Sequence, residues 1–258
     1  MKTGFIQYHV QHDREQNFEI IQRYLSQESY ELVVLPELAL CGYLFENREA
    51  LKQAAERVPE GESVRRMAEL SQKYQCAVVF GMAEMDSGNL YNTAVVVDHG
   101  RYVGKYRKLH LSDFEKKYFD RGDSNGVFEV NGMKIGVQIC FDLWFPEVSR
   151  EQIWQGAELL CVLANFGGET TWKISKIRAV ENLTPLILCN RVGQETIPGM
   201  DAVFLGNSTV IDAQGNSLLA EKQGEEWAAC CEMEKRGRMA NVICGDFLEE
   251  MKIHAGGY

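Results

Sequence analysis

Residues 133–147 read MKIGVQICFDLWFPE, an apolar run of strand length that gives way at Cys140 to a turn crowded with aromatic side chains. A short apolar run bounded by turn residues has the pattern of a strand buried on both faces. Working outward, similar runs stand at 31–35, 77–80, 94–97, 159–163, 186–189 and 208–211, with a further strand around Trp227 to Glu232. Between them lie segments of helical periodicity. One opens after Asp13 as an N-cap and carries Phe18, Ile21, Tyr24 and Leu25 on one face; another runs from Ser63 with Val64, Met67, Ala68 and Leu70. Strands alternating with helices predict an α/β fold. Repeats, low-complexity tracts and Pro-, Ser- or Gly-rich linkers are absent from the chain, so one domain over 1–258 is expected.

Composition narrows the function classes. The 258 residues carry a formal net charge of -10, a balance that argues against nucleic acid or an anionic membrane as partner and for small-molecule chemistry. No stretch approaches the roughly 18 to 20 apolar residues of a membrane span, and MKTGFIQYHVQHDREQN has no apolar signal core, so a cytoplasmic location is expected. The eight cysteines (41, 76, 140, 161, 189, 230, 231, 244) include no C-x-x-C, which suits a reducing compartment. The five histidines (9, 12, 99, 110, 254) never join cysteine at zinc spacing, so no metal site is expected. Arg121-Gly122-Asp123 and the sequon Asn182-Leu183-Thr184 have no meaning in such a chain.

Polar residues gather where the strands stop. ELVVLP ends on Glu37, KIGVQI on Cys140, LLCVLA on Asn165 and LILC on Asn190-Arg191, while GKYRK delivers Lys108 after a hairpin. In open α/β sheets ligands bind beyond the carboxyl ends of strands, so such residues can meet in one pocket. A cysteine nucleophile needs a group to take its proton and another to hold the charge that develops on the attacked carbonyl. A carboxylate and an ammonium supply these. Each residue also has a plainer reading. Lys105, Arg107 and Lys108 form a basic cluster suited to a solvated hairpin face, Glu37 sits in a turn after Pro36, and Cys140 resembles core thiols such as Cys161 and Cys189. His110 invites a cysteine–histidine pair, but it alternates with Leu109 and Leu111 and ranks behind glutamate as the base.

Three blocks lift the chemical reading above the plain one. LPELALCGY (35–43), YRKLHL (106–111) and ICFDLWFPE (139–147) resemble, in order, the signature blocks of the nitrilase superfamily of carbon-nitrogen hydrolases. FEKKYF (114–119) with Gly122-Asp123 resembles that family's loop bearing a second glutamate. Trp172, RAVEN (178–182), NRVG (190–193) and GNSTVID (206–212) continue the likeness to about residue 220. The resemblance implies an α/β four-layer αββα sandwich and a cofactor-free amidase, in which Glu37 is the base, Cys140 the nucleophile and Lys108 the oxyanion partner beside the Phe141 N-H. Glu115 would attend Lys108 or the substrate nitrogen, its plain reading being an exposed acid in an EKK run. Asp142, Trp144, Asn165, Phe166 and Trp172 follow strand ends or the nucleophile and are expected to line the pocket. Arg191 is expected to pair with Glu181, the alternative being a substrate carboxylate. The resemblance also implies a homodimer or higher homo-oligomer. From about residue 236 the chain departs from the arginine-proline ending of many members, and a dimer arm is one role for that tail. Phe141 stands where nitrile-specific members carry tryptophan, so a small or ω-amide is the leading substrate. An N-carbamoyl amide comes second, a nitrile third, and a silent scaffold is the non-enzyme reading.

Overall fold

The computed structural model describes residues 1–233 and 243–253. The chain runs β1 (Lys2–Gln7), α1 (Arg14–Leu25), β2 (Leu32–Val34), α2 (Arg48–Ala54), α3 (Glu62–Tyr74) and the meander β3 (Ala77–Asp86), β4 (Asn89–Asp98), β5 (Arg101–Arg107). It continues through β6 (Val127–Val130), β7 (Met133–Ile139), α4 (Pro146–Trp154), β8 (Leu159–Ala164), α5 (Glu169–Glu181) and β9 (Leu186–Asn190). The hairpin β10 (Val192–Ile197) and β11 (Met200–Leu205), then β12 (Thr209–Ile211), β13 (Trp227–Glu232) and α6 (Phe247–Lys252), follow.

Two sheets result, a six-stranded one ordered β13-β1-β2-β3-β4-β5 and a five-stranded one ordered β12-β9-β8-β7-β6. Their centres are parallel, β1 with β2 with β3 and β7 with β8 with β9, and their flanks antiparallel. Because side chains alternate along a strand, each sheet has two buried faces to cover. Phe5, Leu32, Val34 and Val79 meet Ile135, Val137, Ile139, Leu159, Cys161 and Leu163 in a core between the sheets. On the far side of the first sheet, Ile6, Val33 and Val78 pack on Phe18, Ile21, Val64 and Met67 of α1 and α3. On the far side of the second, Leu160 and Val162 pack on Ile153 of α4 and Ala179 of α5. The layers are α-β-β-α, as the family resemblance implied.

Both anticipated helices form, with one shift of boundary. Asp13 caps α1 by accepting from the Glu15 and Gln16 amides. Helix α3 starts one residue before Ser63, after Gly61, because Ser63 spends its amide and hydroxyl on Glu56 at 2.9 and 2.5 Å. Among the strands, β1, where buried Thr3 and Gln7 interrupt the apolar run, β6, and the hairpin β10–β11, polar along much of its length, were not anticipated from the sequence, nor were helices α2 and α4. The tail expected as a dimer arm falls partly on 234–242 and 254–258, outside the described residues; in its described part α6 packs Phe247, Leu248 and Met251 onto the core beside α5. Among the described residues no helix is long and apolar enough to cross a membrane.

Candidate active site

Glu37 lies beyond the end of β2, fully buried in a loop that leans on β3. The approach requires Gly81, since a Cβ there would lie 2.8 Å from the Glu37 Cα, and Leu38 turns the chain with φ +48°. Lys108 follows β5 and is tied on both sides, its N-H donating to the Asn92 carbonyl and its carbonyl accepting from Gly122, each at 2.9 Å. Lys105 and Arg107 do not share its environment: they pair with the buried Glu84 of β3. Lys108 is only 1% exposed, which removes the solvated-hairpin reading. Glu115 opens a 3-10 turn, Glu115–Lys117, and is equally buried; the EKK run is a surface run at its two lysines only.

These three side chains form one cluster. The Lys108 ammonium donates to Glu37 Oε1 at 2.7 Å and to Glu115 Oε1 at 2.5 Å. Asn92 Nδ2 also donates to Glu37 Oε1, at 2.7 Å, and the Ser112 amide donates to Glu115 Oε2 at 2.9 Å. Glu37 Oε2 is buried with no partner. One carboxylate oxygen is thus fixed by two donors and the other has none.

Cys140 begins a 3-10 turn, Cys140–Trp144, at φ +45°. A non-glycine residue held there costs about 1–3 kcal/mol, so neighbouring structure must enforce it. Asp142 does so. Its Oδ2 accepts from the Tyr106 hydroxyl at 2.8 Å and the Ile139 amide at 3.2 Å, and its Oδ1 from the His110 amide at 2.8 Å. Asp142 was expected on the pocket wall; instead both its oxygens join the Cys140 turn to the segment that delivers Lys108. His110, stacked on Phe145 at 3.7 Å between centroids, turns Nδ1 to that same carboxylate at 3.1 Å.

Burial pushes Glu37 up to about 7, opposed by Lys108 and reinforced by Glu115. Burial also disfavours the Lys108 charge, but Glu115 and Glu37 outweigh it and hold the ammonium well above its usual range. The Cys140 thiol is driven up by burial and by Glu37, while Lys108 and the backbone N-H of Asn165 pull the other way. Cys140 therefore rests as a thiol. Beside it, Glu37 has an unpartnered oxygen and a pKa near neutrality, the two properties a proton acceptor needs.

The remaining expected wall residues divide. Asn165, 7% exposed, has neither amide atom partnered. Phe166 and Trp172 belong instead to the apolar cluster between the second sheet and α5, because residue 166 continues the outward face of β8. Trp144 is partly exposed and donates Nε1 to Thr171 Oγ1 at 3.1 Å; Phe141 lies beside it at 5.9 Å between centroids. Arg191 does not meet Glu181, whose carboxylate takes Arg178 at 2.9 Å. Arg191 is fully buried against Glu195, donates to the Val10 carbonyl at 2.6 Å and lies over the Phe204 ring, which leaves it no role toward a substrate carboxylate.

Two neighbours were not singled out from sequence. Asn92 gave no local signal, being one amide in a strand. Tyr43 stood inside the first quoted block without being marked. Burial and then Glu115 push its phenol well above the ordinary range, with Lys108 opposing and Glu37 and Cys140 adding, so the ring reaches into the field of the whole cluster. It packs 5.8 Å from Phe114 and 6.0 Å from Phe204, centroid to centroid.

A strained thiol in the field of a buried carboxylate–ammonium–carboxylate cluster, at the open ends of two facing sheets, can now be set against known proteins. Residues 2–234 match the family model described as Carbon-nitrogen hydrolase. The chain belongs to the carbon-nitrogen hydrolase family, within the nitrilase superfamily. This hydrolase is 37% identical over 232 residues to a nitrilase of Pyrococcus abyssi, 87% of either chain being covered. It is 32% identical over 235 residues to an N-carbamoylputrescine amidase of Solanum lycopersicum, covering 84% of this chain and 76% of the relative. It is also 32% identical over 212 residues to a 2-oxoglutaramate amidase of Bacillus subtilis, covering 79% and 78%, so the enzyme has amidase, including ω-amidase-like, relatives. Among solved structures, a carbon-nitrogen hydrolase from Helicobacter pylori G27 superposes with a TM-score of 0.80 at 28% identity, over 89% of this chain and 87% of that one.

Proposed function

We propose that this hydrolase cleaves the C-N bond of a small amide to a carboxylate and ammonia through a thioester on Cys140. The unpartnered Glu37 Oε2, on a carboxylate otherwise fixed by Lys108 and Asn92, is the observation that carries this reading. Glu37 takes the thiol proton as the sulfur attacks the carbonyl carbon. The oxyanion meets the Lys108 ammonium and the N-H of Phe141, one of the first residues of a helical turn, where amides have no intrahelical acceptor. The intermediate collapses as Glu37 returns the proton to nitrogen, and ammonia leaves. Water, deprotonated by the same carboxylate, then opens the thioester and frees the thiol. Glu115 keeps Lys108 charged throughout.

We infer a cytoplasmic homodimer, the cysteine usage supporting the compartment. A second substrate reading, an N-carbamoyl amide, draws support from Asn165. An ammonia-release assay across short aliphatic amides, dicarboxylic monoamides, carbamoyl compounds and nitriles tests the proposal. Amides or carbamoyl compounds turn over, nitriles do not, and Cys140→Ala lowers the rate by at least 1,000-fold, in the range seen for lost nucleophiles. Near-normal turnover by a folded Cys140→Ala variant would sink the mechanism.

A further inference from the structure

Asn165 and Asn190 end adjacent parallel strands, and their surroundings differ. The Asn190 amide is saturated: Nδ2 donates to the Phe166 and Gly206 carbonyls at 3.1 and 2.9 Å, and Oδ1 accepts from the Phe166 amide at 3.0 Å. Asn165 is nearly as buried, yet neither Nδ2 nor Oδ1 has a partner, and no other buried side-chain amide among the described residues lacks both. Leaving such a group unpaired costs about 1–3 kcal/mol relative to a satisfied one. An apolar residue of the same size would spare that cost, so structure alone gives no reason for an asparagine here.

Its placement ties it to the reaction. Along β8, Leu159, Cys161 and Leu163 face the space between the sheets, and residue 165 continues that face. Cys140 ends β7, the strand paired with β8, and the Asn165 backbone N-H acts on its sulfur. Within the site the carbonyl oxygen of a bound amide belongs to Lys108 and the Phe141 N-H, and the departing nitrogen to the glutamates. What is left for Asn165 is the atom on the retained side of the carbonyl carbon. In an alkyl amide that atom is a methylene, which cannot satisfy a buried carboxamide. In an N-substituted urea it is an N-H.

We propose that the Asn165 carboxamide is a specificity residue that accepts the retained N-H of an N-substituted urea, making N-carbamoyl amines the preferred substrate class. The inference rests on the thioester mechanism above and refines its substrate. For R-NH-CO-NH2, the Cys140 sulfur bonds to the ureido carbon, the C-NH2 bond breaks, and ammonia leaves with the thiol proton carried by Glu37. Water then cleaves the carbamoyl thioester to R-NH-COOH and free thiol, and the carbamic acid falls to R-NH2 and carbon dioxide.

N-propylurea and pentanamide differ only by NH in place of CH2, and kcat/KM for ammonia release from each, in the wild type, Asn165→Leu and Asn165→Ala, tests the proposal. Both substitutions lower the urea-to-amide ratio of kcat/KM by about ten-fold or more, the scale of one net hydrogen bond. Equal losses on both substrates, or a wild type that turns over pentanamide but not N-propylurea, would overturn it while leaving the amidase mechanism standing. A wild type inactive on the whole amide and carbamoyl panel would instead remove the mechanism and this inference together.

Discussion

Asn92 makes a case for reading single residues through the bonds they share. Its side chain holds Glu37 Oε1 and its carbonyl holds the Lys108 amide, so one residue of β4 sets both members of the ion pair. The donated hydrogen bond favours the Glu37 carboxylate and opposes the burial that pushes this group up to about 7. In the proposed mechanism Glu37 must be deprotonated to act, so kcat/KM is expected to rise with pH through its pKa. Asn92→Ala removes a donor to the charged form, so the acid limb of the profile moves to higher pH by on the order of one unit, and kcat falls with it. A pH profile that drops uniformly without moving its acid limb would assign Asn92 a packing role only. Glu37, Lys108 and Cys140 were legible in the sequence because each sits in its own local block at a strand end. Asn92 and Tyr43 were not, since their part arises only when β4 and the loop after β2 are folded against the cluster.

At the scale of elements, the hairpin β10–β11 explains how Tyr43 is held. Glu195 of β10 accepts from the Tyr43 and Leu44 amides at 2.9 and 2.6 Å, and Arg191 neutralises it from the preceding strand end. Removing one partner of a buried pair leaves the other charge uncompensated, at a cost of about 3–5 kcal/mol. Glu195→Ala therefore lowers the melting temperature by on the order of 10 °C, read by calorimetry. The double change Arg191→Met with Glu195→Leu removes both charges and recovers most of that loss. It leaves the Tyr43 and Leu44 amides without their acceptor, so the KM that Glu195→Ala is expected to raise, by freeing Tyr43 beside the cluster, stays raised although stability returns; recovery of KM along with stability would show that the hairpin does not position Tyr43 for the reaction. The central strands and two of the three long helices, α1 and α3, were legible because apolar periodicity reports burial. The hairpin was not, because a two-stranded ribbon with polar residues on both faces gives no such pattern, and Arg191 was misassigned to Glu181 because a partner four residues ahead on a strand lies outside helical pairing rules.

For the molecule as a whole, four layers leave both helical faces turned outward, and they are not equivalent. Helix α5 shows Ile177 and Val180 to solvent at 53% and 45%, with Leu218 and Val203 also exposed. Large apolar side chains gathered on an outer layer need a cover, whereas single ones do not. A second copy is the occupant we propose, since a two-fold contact is self-complementary. An axis crossing antiparallel α5 helices at Ile177 sets Lys173 of each opposite Glu181 of the other, four residues to either side, while the apolar pair fills the seam. Light scattering coupled to size exclusion then reports twice the chain mass for the wild type. Ile177→Asp with Val180→Asp puts four like charges at that seam in a dimer and yields the monomer mass, with the helix intact by circular dichroism because both positions are exposed. A wild type of single-chain mass, or a doubly substituted chain that still runs as a dimer, would place the contact elsewhere or deny it.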